Sequence, residues 1–253
     1  GLTSLVIPDS VTSIGSSAFK DATALTSLVI PDSVTSIGSS AFEGATALTS
    51  VTLGSAVETI GSKAFYNSAL TSLTIPDSVT SIGELAFAKV PIKTLVVGKG
   101  LANQSSVGGG AFYGVCPTLE SVSINSPNAL GIGSQIRQKL PWLSYAEQDN
   151  SYYNSQRGDY IYEGLHFTQG SLYSGNYNGA LYGTPRDPTS LFECENLQTI
   201  TLGDDVKTVG SNIFSKLSSL TSLTIGSGVT SIGSGAFGGA TSLTSLTIPN
   251  SVT

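Results

Sequence analysis

The chain has 253 residues, of which only 11% are charged, and its formal net charge at pH 7 is −6. Soluble domains average about 25% charged residues, so serine and threonine, roughly a quarter of this chain, must supply much of the polar surface. The acidic balance excludes a basic nucleic-acid-binding surface, and no apolar run approaches the ~18 residues that a membrane-spanning helix requires.

A sequence repeat of about 23 residues runs along most of the chain. Its first copy reads LTSLVIPDSVTSIGSSAF, and full copies begin at Leu2, Leu25, Leu48, Leu70, Ile92, Leu119, Leu197 and Leu220, with a half copy at Leu243. One repeat cannot bury its own apolar residues, whereas neighbours stacked about 4.8 Å apart bury them continuously. The period therefore predicts a solenoid of about eight and a half coils.

The order of residues within a repeat predicts two short strands and a corner. Leu5 and Ile7 are two residues apart, which is strand periodicity, and Pro8 then turns the chain. Val11 to Ile14 forms a second extended piece, and Gly15 marks the next corner. A phenylalanine then recurs in phase and should form one interior stack, at Phe19, Phe42, Phe65, Phe87, Phe112, Phe214 and Phe237.

The outward positions of the first strand carry mainly hydroxyl side chains, as at Ser72, Thr74 and Thr224. Stacked coils turn these positions into rows of hydroxyl groups. Such rows could bind glycans, protein or ice, or they could simply be the short polar side chains that suit a solvated sheet.

The repeat pattern Leu-x-x-Leu-x-Ile-Pro-x-x-Val-x-x-Ile-Gly-x-x-Ala-Phe resembles the BspA-like leucine-rich repeats. This resemblance implies a curved, right-handed, mostly β solenoid of the α/β leucine-rich repeat type, with a parallel sheet on its concave side. It also implies a secreted or cell-surface protein, often an adhesin that binds host matrix proteins or other cells. Family repeats usually carry a cysteine three residues before the leading leucine, a position that only Cys116 and Cys194 retain here.

The sixth repeat is 78 residues long and contains an insertion. The predicted organisation is therefore N-terminal repeats over 2–124, an insertion over 125–190 and C-terminal repeats over 191–253. Eight of the 10 tyrosines and all three arginines lie in the insertion. A short helix is predicted to end before Pro141, alternation predicts strands at 160–162 and 165–167, and a Gly/Asn-rich turn predicts a hairpin over 170–182.

The aromatic residues of the insertion are the candidate contact residues. Tyrosine and tryptophan combine a large contact area with a polar group, which favours them in binding surfaces. The alternative is that they form the core that such a small insertion needs. The candidates are Trp142, Tyr152, Tyr153, Tyr160, Tyr162, Tyr173 and Tyr177.

Arg157-Gly158-Asp159 is an RGD tripeptide, which resembles the integrin-binding loop motif. A guanidinium and a carboxylate separated by a flexible glycine can reach an acidic group and a metal ion of a receptor. A tripeptide also occurs by chance, and a strand that begins at Asp159 could hold the loop in an unsuitable shape.

Cys116 and Cys194 occupy the same position of consecutive repeats, so we expect them one above the other at about a strand spacing. That separation lies just inside the range that a disulfide tolerates. The alternative is a pair of buried free thiols that pack as small apolar groups, like the alanines at that position in other repeats.

The sequence favours a non-enzymatic extracellular recognition or adhesion module, with the repeats as scaffold and the insertion as contact surface. No nucleophile, base and orienting acid are brought together by the pattern, and no cofactor or metal site is predicted. The expected partner is a host matrix or cell-surface protein, with a glycan as the alternative. The alternative is a structural subunit that stacks end to end into a surface filament, because neither end carries a polar capping repeat.

Overall fold

The computed structural model describes residues 1–102, 106–127 and 194–253, together with the backbone of three strands at 151–154, 159–162 and 165–168. The chain divides into two compact units, one comprising Gly1–Lys139 with Thr189–Thr253 and the other Leu140–Pro188. The predicted helix before Pro141 and the predicted hairpin over 170–182 fall outside the described residues.

The described strands are short and are numbered in chain order. They are β1 (Ser13–Ile14), β2 (Ser27–Val29), β3 (Ser36–Ile37), β4 (Ser50–Thr52), β5 (Thr59–Ile60), β6 (Ser72–Ile75), β7 (Ser81–Ile82), β8 (Thr94–Val97), β9 (Ser121–Ile124), β10 (Ser151–Asn154), β11 (Asp159–Tyr162), β12 (Leu165–Thr168), β13 (Thr199–Leu202), β14 (Thr208–Val209), β15 (Ser222–Ile225) and β16 (Ser231–Ile232).

The repeats form a parallel β-solenoid, as predicted. Where the first strand of a repeat forms, it runs parallel to its equivalents in neighbouring coils, in sheets ordered β2-β4 and β15-β13-β9-β8-β6. Residues 2–7 of the first repeat, where a strand was predicted at Leu5 and Ile7, and 243–248 of the half repeat form no strand, because each lies at an end of the stack with a neighbouring coil on one side only. The second strand forms separate ladders, ordered β1-β3-β5-β7 and β14-β16. Equivalent residues pair throughout, so that Leu73 lies opposite Leu95, which lies opposite Val122.

Side chains alternate between the interior and the surface along each strand. In β6, Leu73 and Ile75 are buried while Ser72 and Thr74 are exposed. The parallel register places all the buried residues of one phase in line, and they merge into one continuous core. Periodicity in the sequence is therefore sufficient to assign the inward and outward positions.

The phenylalanines form the predicted interior stack. Consecutive ring centroids are 5.3 Å apart for Phe19–Phe42, 5.2 Å for Phe42–Phe65 and 5.3 Å for Phe65–Phe87, with nearly parallel planes. The stack continues through Phe87–Phe112, and Phe214–Phe237 stack in the C-terminal repeats at 5.6 Å. The inner rings are fully buried, whereas Phe19 and Phe237 are partly exposed.

After its two strands, each coil continues as a turn segment. The backbone of this segment hydrogen-bonds to the equivalent segment of the next coil. The amide of Phe19 donates to the Ala41 carbonyl at 2.8 Å, and the amide of Phe42 donates to the Ala64 carbonyl at 2.7 Å. This geometry requires left-handed backbone at positions that do not all carry glycine, including Lys63 and Leu85 with φ of 57° and 56°. Such residues rarely adopt that conformation, so the sequence alone did not indicate it.

Aspartate and serine side chains at the corner after the first strand connect one coil to the next. The Ser55 amide donates to Asp32 Oδ1 at 2.6 Å, and the Ser227 amide donates to Asp204 Oδ1 at 2.7 Å. A serine hydroxyl also donates to the preceding coil, from Ser33 Oγ to the Val11 carbonyl at 2.7 Å. These contacts satisfy corner amides and carbonyls that the strand ladders leave without partners.

These corners predict a loss of stability in acid. The backbone amide of Ser55, and then its hydroxyl, hold the pKa of Asp32 below its ordinary value of 3.8. Because the pKa of Asp32 is lower in the folded than in the unfolded chain, its ionised carboxylate stabilises the fold. This stabilisation is complete above the pKa of the unfolded chain and is lost as the pH falls through the pKa of the folded chain. Asp32→Asn should therefore melt at a lower temperature than the parent chain at neutral pH, and the difference should shrink below about pH 4. Equal differences in melting temperature at pH 7 and pH 3 would contradict this.

The three described strands of the insertion form an antiparallel sheet ordered β10-β11-β12. Its strands β11 and β12 include the two segments whose alternation predicted strands.

Within the described part of the chain, we find no helix with the length and apolar character needed to cross a membrane.

Candidate functional site

The insertion interrupts the sequence without interrupting the solenoid. Strand β9 ends at Ile124 and β13 begins at Thr199, yet the two strands are direct parallel neighbours. Val122 lies opposite Ile200 and Ile124 lies opposite Leu202, which is the register of all other coils. The chain therefore leaves and re-enters the scaffold at adjacent positions.

A disulfide joins Cys116 to Cys194 at the base of the insertion. The two Cα atoms are 4.3 Å apart, and the residues are 6% and 0% exposed. Of the two alternatives that the sequence left open, the structure has the bonded pair. The expectation that equivalent positions of consecutive coils lie one above the other is met.

Polar contacts hold the same region together. Asn196 Nδ2 donates to the Pro117 carbonyl at 2.7 Å, and the Gln198 amide donates to the Glu120 carbonyl at 2.8 Å. On the side where the chain enters the insertion, the buried Ser126 hydroxyl donates to the Leu101 carbonyl at 2.5 Å. These contacts connect the coils that precede and follow the insertion.

The register of the insertion sheet sorts the candidate residues into two groups. Directly paired residues share a face, and faces alternate along a strand. One face, here called the aromatic face, comprises Ser151, Tyr153, Tyr160, Tyr162, Leu165 and Phe167. The other, here called the mixed face, comprises Tyr152, Asn154, Asp159, Ile161, His166 and Thr168. The adjacent candidates Tyr152 and Tyr153 therefore belong to opposite faces.

Asp159 of the tripeptide is the first residue of β11 and lies opposite both Asn154 and Thr168. Its backbone is therefore part of the sheet. Arg157 and Gly158 lie outside the described residues, as do Trp142, Tyr173 and Tyr177.

Two further surface features belong to the repeats. The outward hydroxyl positions Ser72, Thr74 and Thr224 are exposed, as predicted. Large apolar residues are exposed in the outer coils at Leu2, Val6, Val29, Leu246 and Ile248.

In the described ranges, histidine, cysteine and acidic residues form no group of three or more that could hold a metal ion.

Solved structures similar to this chain include several bacterial leucine-rich repeat proteins. The T. pallidum leucine-rich repeat protein is 18% identical, with a TM-score of 0.45, over 95% of this chain and 78% of that one. A leucine-rich cell surface protein of Faecalibacterium prausnitzii is 25% identical, with a TM-score of 0.40, over 99% and 68%. The pneumococcal vaccine antigen PcpA is 20% identical, with a TM-score of 0.34, and this chain covers 60% of it.

No curated protein sequence matches the chain significantly. The sequence profile of the BspA type leucine rich repeat region does match it, in six copies over residues 1–120 and 188–253. These ranges leave out all but the last three residues of the insertion and contain most of the repeats that build the solenoid. The chain therefore belongs to the BspA-type leucine-rich repeat proteins.

Proposed function

We propose that this protein is a non-enzymatic extracellular recognition module, in which the solenoid is a rigid scaffold and the insertion makes the specific contact. The observation that carries the proposal is the junction, where β9 and β13 pair directly and Cys116 is bonded to Cys194. A scaffold whose strands pair directly across the insertion point can display the inserted segment without depending on its sequence. Binding residues are commonly found on such segments of repeat proteins.

The disulfide also supports an extracellular or cell-surface location, because disulfides persist in oxidising compartments and are rare in the cytosol. The partner class that fits best is a host matrix or cell-surface protein, since leucine-rich repeat scaffolds present extended surfaces to proteins. Tyr152 and Asp159 share the mixed face, which joins an aromatic residue to a carboxylate. This combination suits a protein surface that carries basic groups.

Deletion of the insertion tests the proposal. Replacing residues 125–190 by a short Gly/Ser loop should leave a folded solenoid, because the flanking strands already pair without it. The deletion should abolish binding to immobilised basement-membrane extract and to epithelial cells, measured by biosensor and by flow cytometry. Full binding by the deletion variant would assign recognition to the repeats. Long rods at rising protein concentration, without matrix binding, would instead favour the filament alternative.

Tyr152 and Tyr153 provide a matched pair of variants within the insertion. Tyr152→Ala should weaken matrix binding by about tenfold or more, as expected for an aromatic contact residue. Tyr153→Ala should instead destabilise the insertion, because an aromatic face needs to be covered in a folded unit. Trp142 is the sole tryptophan of the chain, so its fluorescence during thermal unfolding reports on the insertion separately from the repeats. If Tyr153→Ala instead reduced affinity without destabilising the insertion, the contact residues would belong to the aromatic face and not to the mixed face.

A further inference from the structure

The covalent path through the solenoid has two branches at the insertion. One branch follows the backbone from Cys116 through β9 and the insertion to Cys194, a separation of 78 residues. The other branch crosses directly from one cysteine to the other through their sulfur atoms, between Cα atoms 4.3 Å apart. Any pull on the two ends of the oxidised chain is therefore transmitted along the shorter branch.

The two cysteines of the chain lie one on each side of the insertion. Three residues before the leading residue of their repeats, the other coils carry Ala22, Ala45, Asn67, Lys89, Leu217 and Ala240. Cysteine occurs only in the two repeats whose strands flank the insertion. A bond that served only to fasten one coil to another could have joined any pair of neighbours, whereas this one closes the longest loop that consecutive repeats offer.

Apart from the backbone, the other coils are connected by hydrogen bonds, ion pairs and apolar contacts. Neighbouring ladders contain only two to four paired residues per strand, and these contacts can unravel coil by coil when the ends are pulled. The disulfide is covalent, and because both cysteines are buried, a reductant reaches it only after local opening. The junction is thus the one covalent cross-link in the described solenoid.

We infer that the Cys116–Cys194 disulfide is a covalent bypass that removes the insertion from the mechanical path of the solenoid. The repeats can be stretched, or the insertion can be cut, while the N-terminal and C-terminal repeats remain joined and the insertion carries no tension. This role does not depend on what the insertion binds, so it stands or falls separately from the recognition function.

Single-molecule stretching of the full chain, held at its two ends, tests the bypass. A fully extended chain spans about 3.6 Å per residue, so the oxidised chain should be about 28 nm shorter than the chain stretched with a phosphine reductant, because 78 residues are excluded. The Cys116→Ser/Cys194→Ser variant should give the reduced length without reductant. Because this readout is the extended length, it holds even for a variant that folds poorly. Equal lengths for the oxidised and reduced chains would overturn the inference.

A matched control places the same bond between two ordinary coils. Ala22 and Ala45 occupy the cysteine position of the first two repeats, and each accepts a hydrogen bond from the amide three residues later, as Cys194 does. Ala22→Cys/Ala45→Cys, made in the Cys116→Ser/Cys194→Ser chain, should shorten the extended length by only about 8 nm, because it excludes 23 residues at about 3.6 Å each.

Proteolysis provides the second readout. A specific protease site introduced between Gly179 and Ala180 allows the insertion to be cut in the otherwise complete chain. The cut protein should elute as one species and give one band on a non-reducing gel, and two fragments should appear only after reduction. Separation of the halves without reductant, by gel in denaturant, would overturn the inference.

Discussion

Phe65→Ala should lower the free energy of unfolding by about 3–5 kcal/mol, the usual loss when a buried phenylalanine is truncated. Phe65 is 0% exposed and is stacked between Phe42 and Phe87, with ring centroids 5.2 Å and 5.3 Å away. Neither neighbour can fill the space without leaving its own position in the stack. The loss should appear as a lower midpoint of urea unfolding, followed by far-ultraviolet circular dichroism.

Phe19→Ala is the control for this prediction. Phe19 occupies the same position of the first repeat and stacks on Phe42 at 5.3 Å, but it is partly exposed. Its truncation leaves a site that water can enter and should cost clearly less. An equal loss in both variants would show that the stack contributes through residue type alone and not through burial.

Removal of the disulfide should destabilise the chain by about 4.5 kcal/mol, the loop-closure entropy that the chain-entropy model assigns to a loop of this length. The loop contains 78 residues, so the unfolded state gains much freedom when it opens. Cys116→Ala/Cys194→Ala is the suitable variant, because Ala45 occupies the same position of another coil and is fully buried. Urea unfolding in the absence of reductant measures the difference.

The single variants Cys116→Ala and Cys194→Ala separate the bond from the packing of the sulfur atoms. Each one breaks the same bond, so each should lose about as much stability as the double variant. If one single variant retained nearly full stability, the bond would contribute little and packing at the other position would explain the loss.

The architecture of the repeats follows from the amino-acid sequence alone. Leu73 and Ile75 alternate with polar residues, and the same pattern returns in a later coil at Val122 and Ile124. With a constant period, the only arrangement that buries all of these residues is a stack in register. The same argument predicted the phenylalanine stack, because a residue in phase must meet its equivalent in the next coil.

The backbone conformation of the turn segments depends on contacts between neighbouring coils and not on the local sequence. Lys63 and Leu85 adopt left-handed backbone although their residue types disfavour it. They do so because the ladder of amides such as that of Phe65, which donates to the Ala86 carbonyl at 2.8 Å, requires that shape. The left-handed conformation costs roughly 1–2 kcal/mol per residue, and a repeated set of hydrogen bonds together with a buried ring exceeds this cost.

The junction also depended on tertiary structure. Sequence placed Cys116 and Cys194 at equivalent positions, but bonded sulfurs and buried thiols satisfy that pattern equally well. Only the direct pairing of β9 with β13 shows that the chain returns to the adjacent coil, which brings the cysteines within bonding distance. In the insertion, likewise, no repeat supplies a register, so strand pairing decides that Tyr160 shares a face with Tyr153 and Ile161 with Tyr152. Sequence periodicity therefore predicts the features that every coil repeats, such as the strands and the phenylalanine stack. Features that occur once, such as the disulfide, depend on which residues the fold brings together.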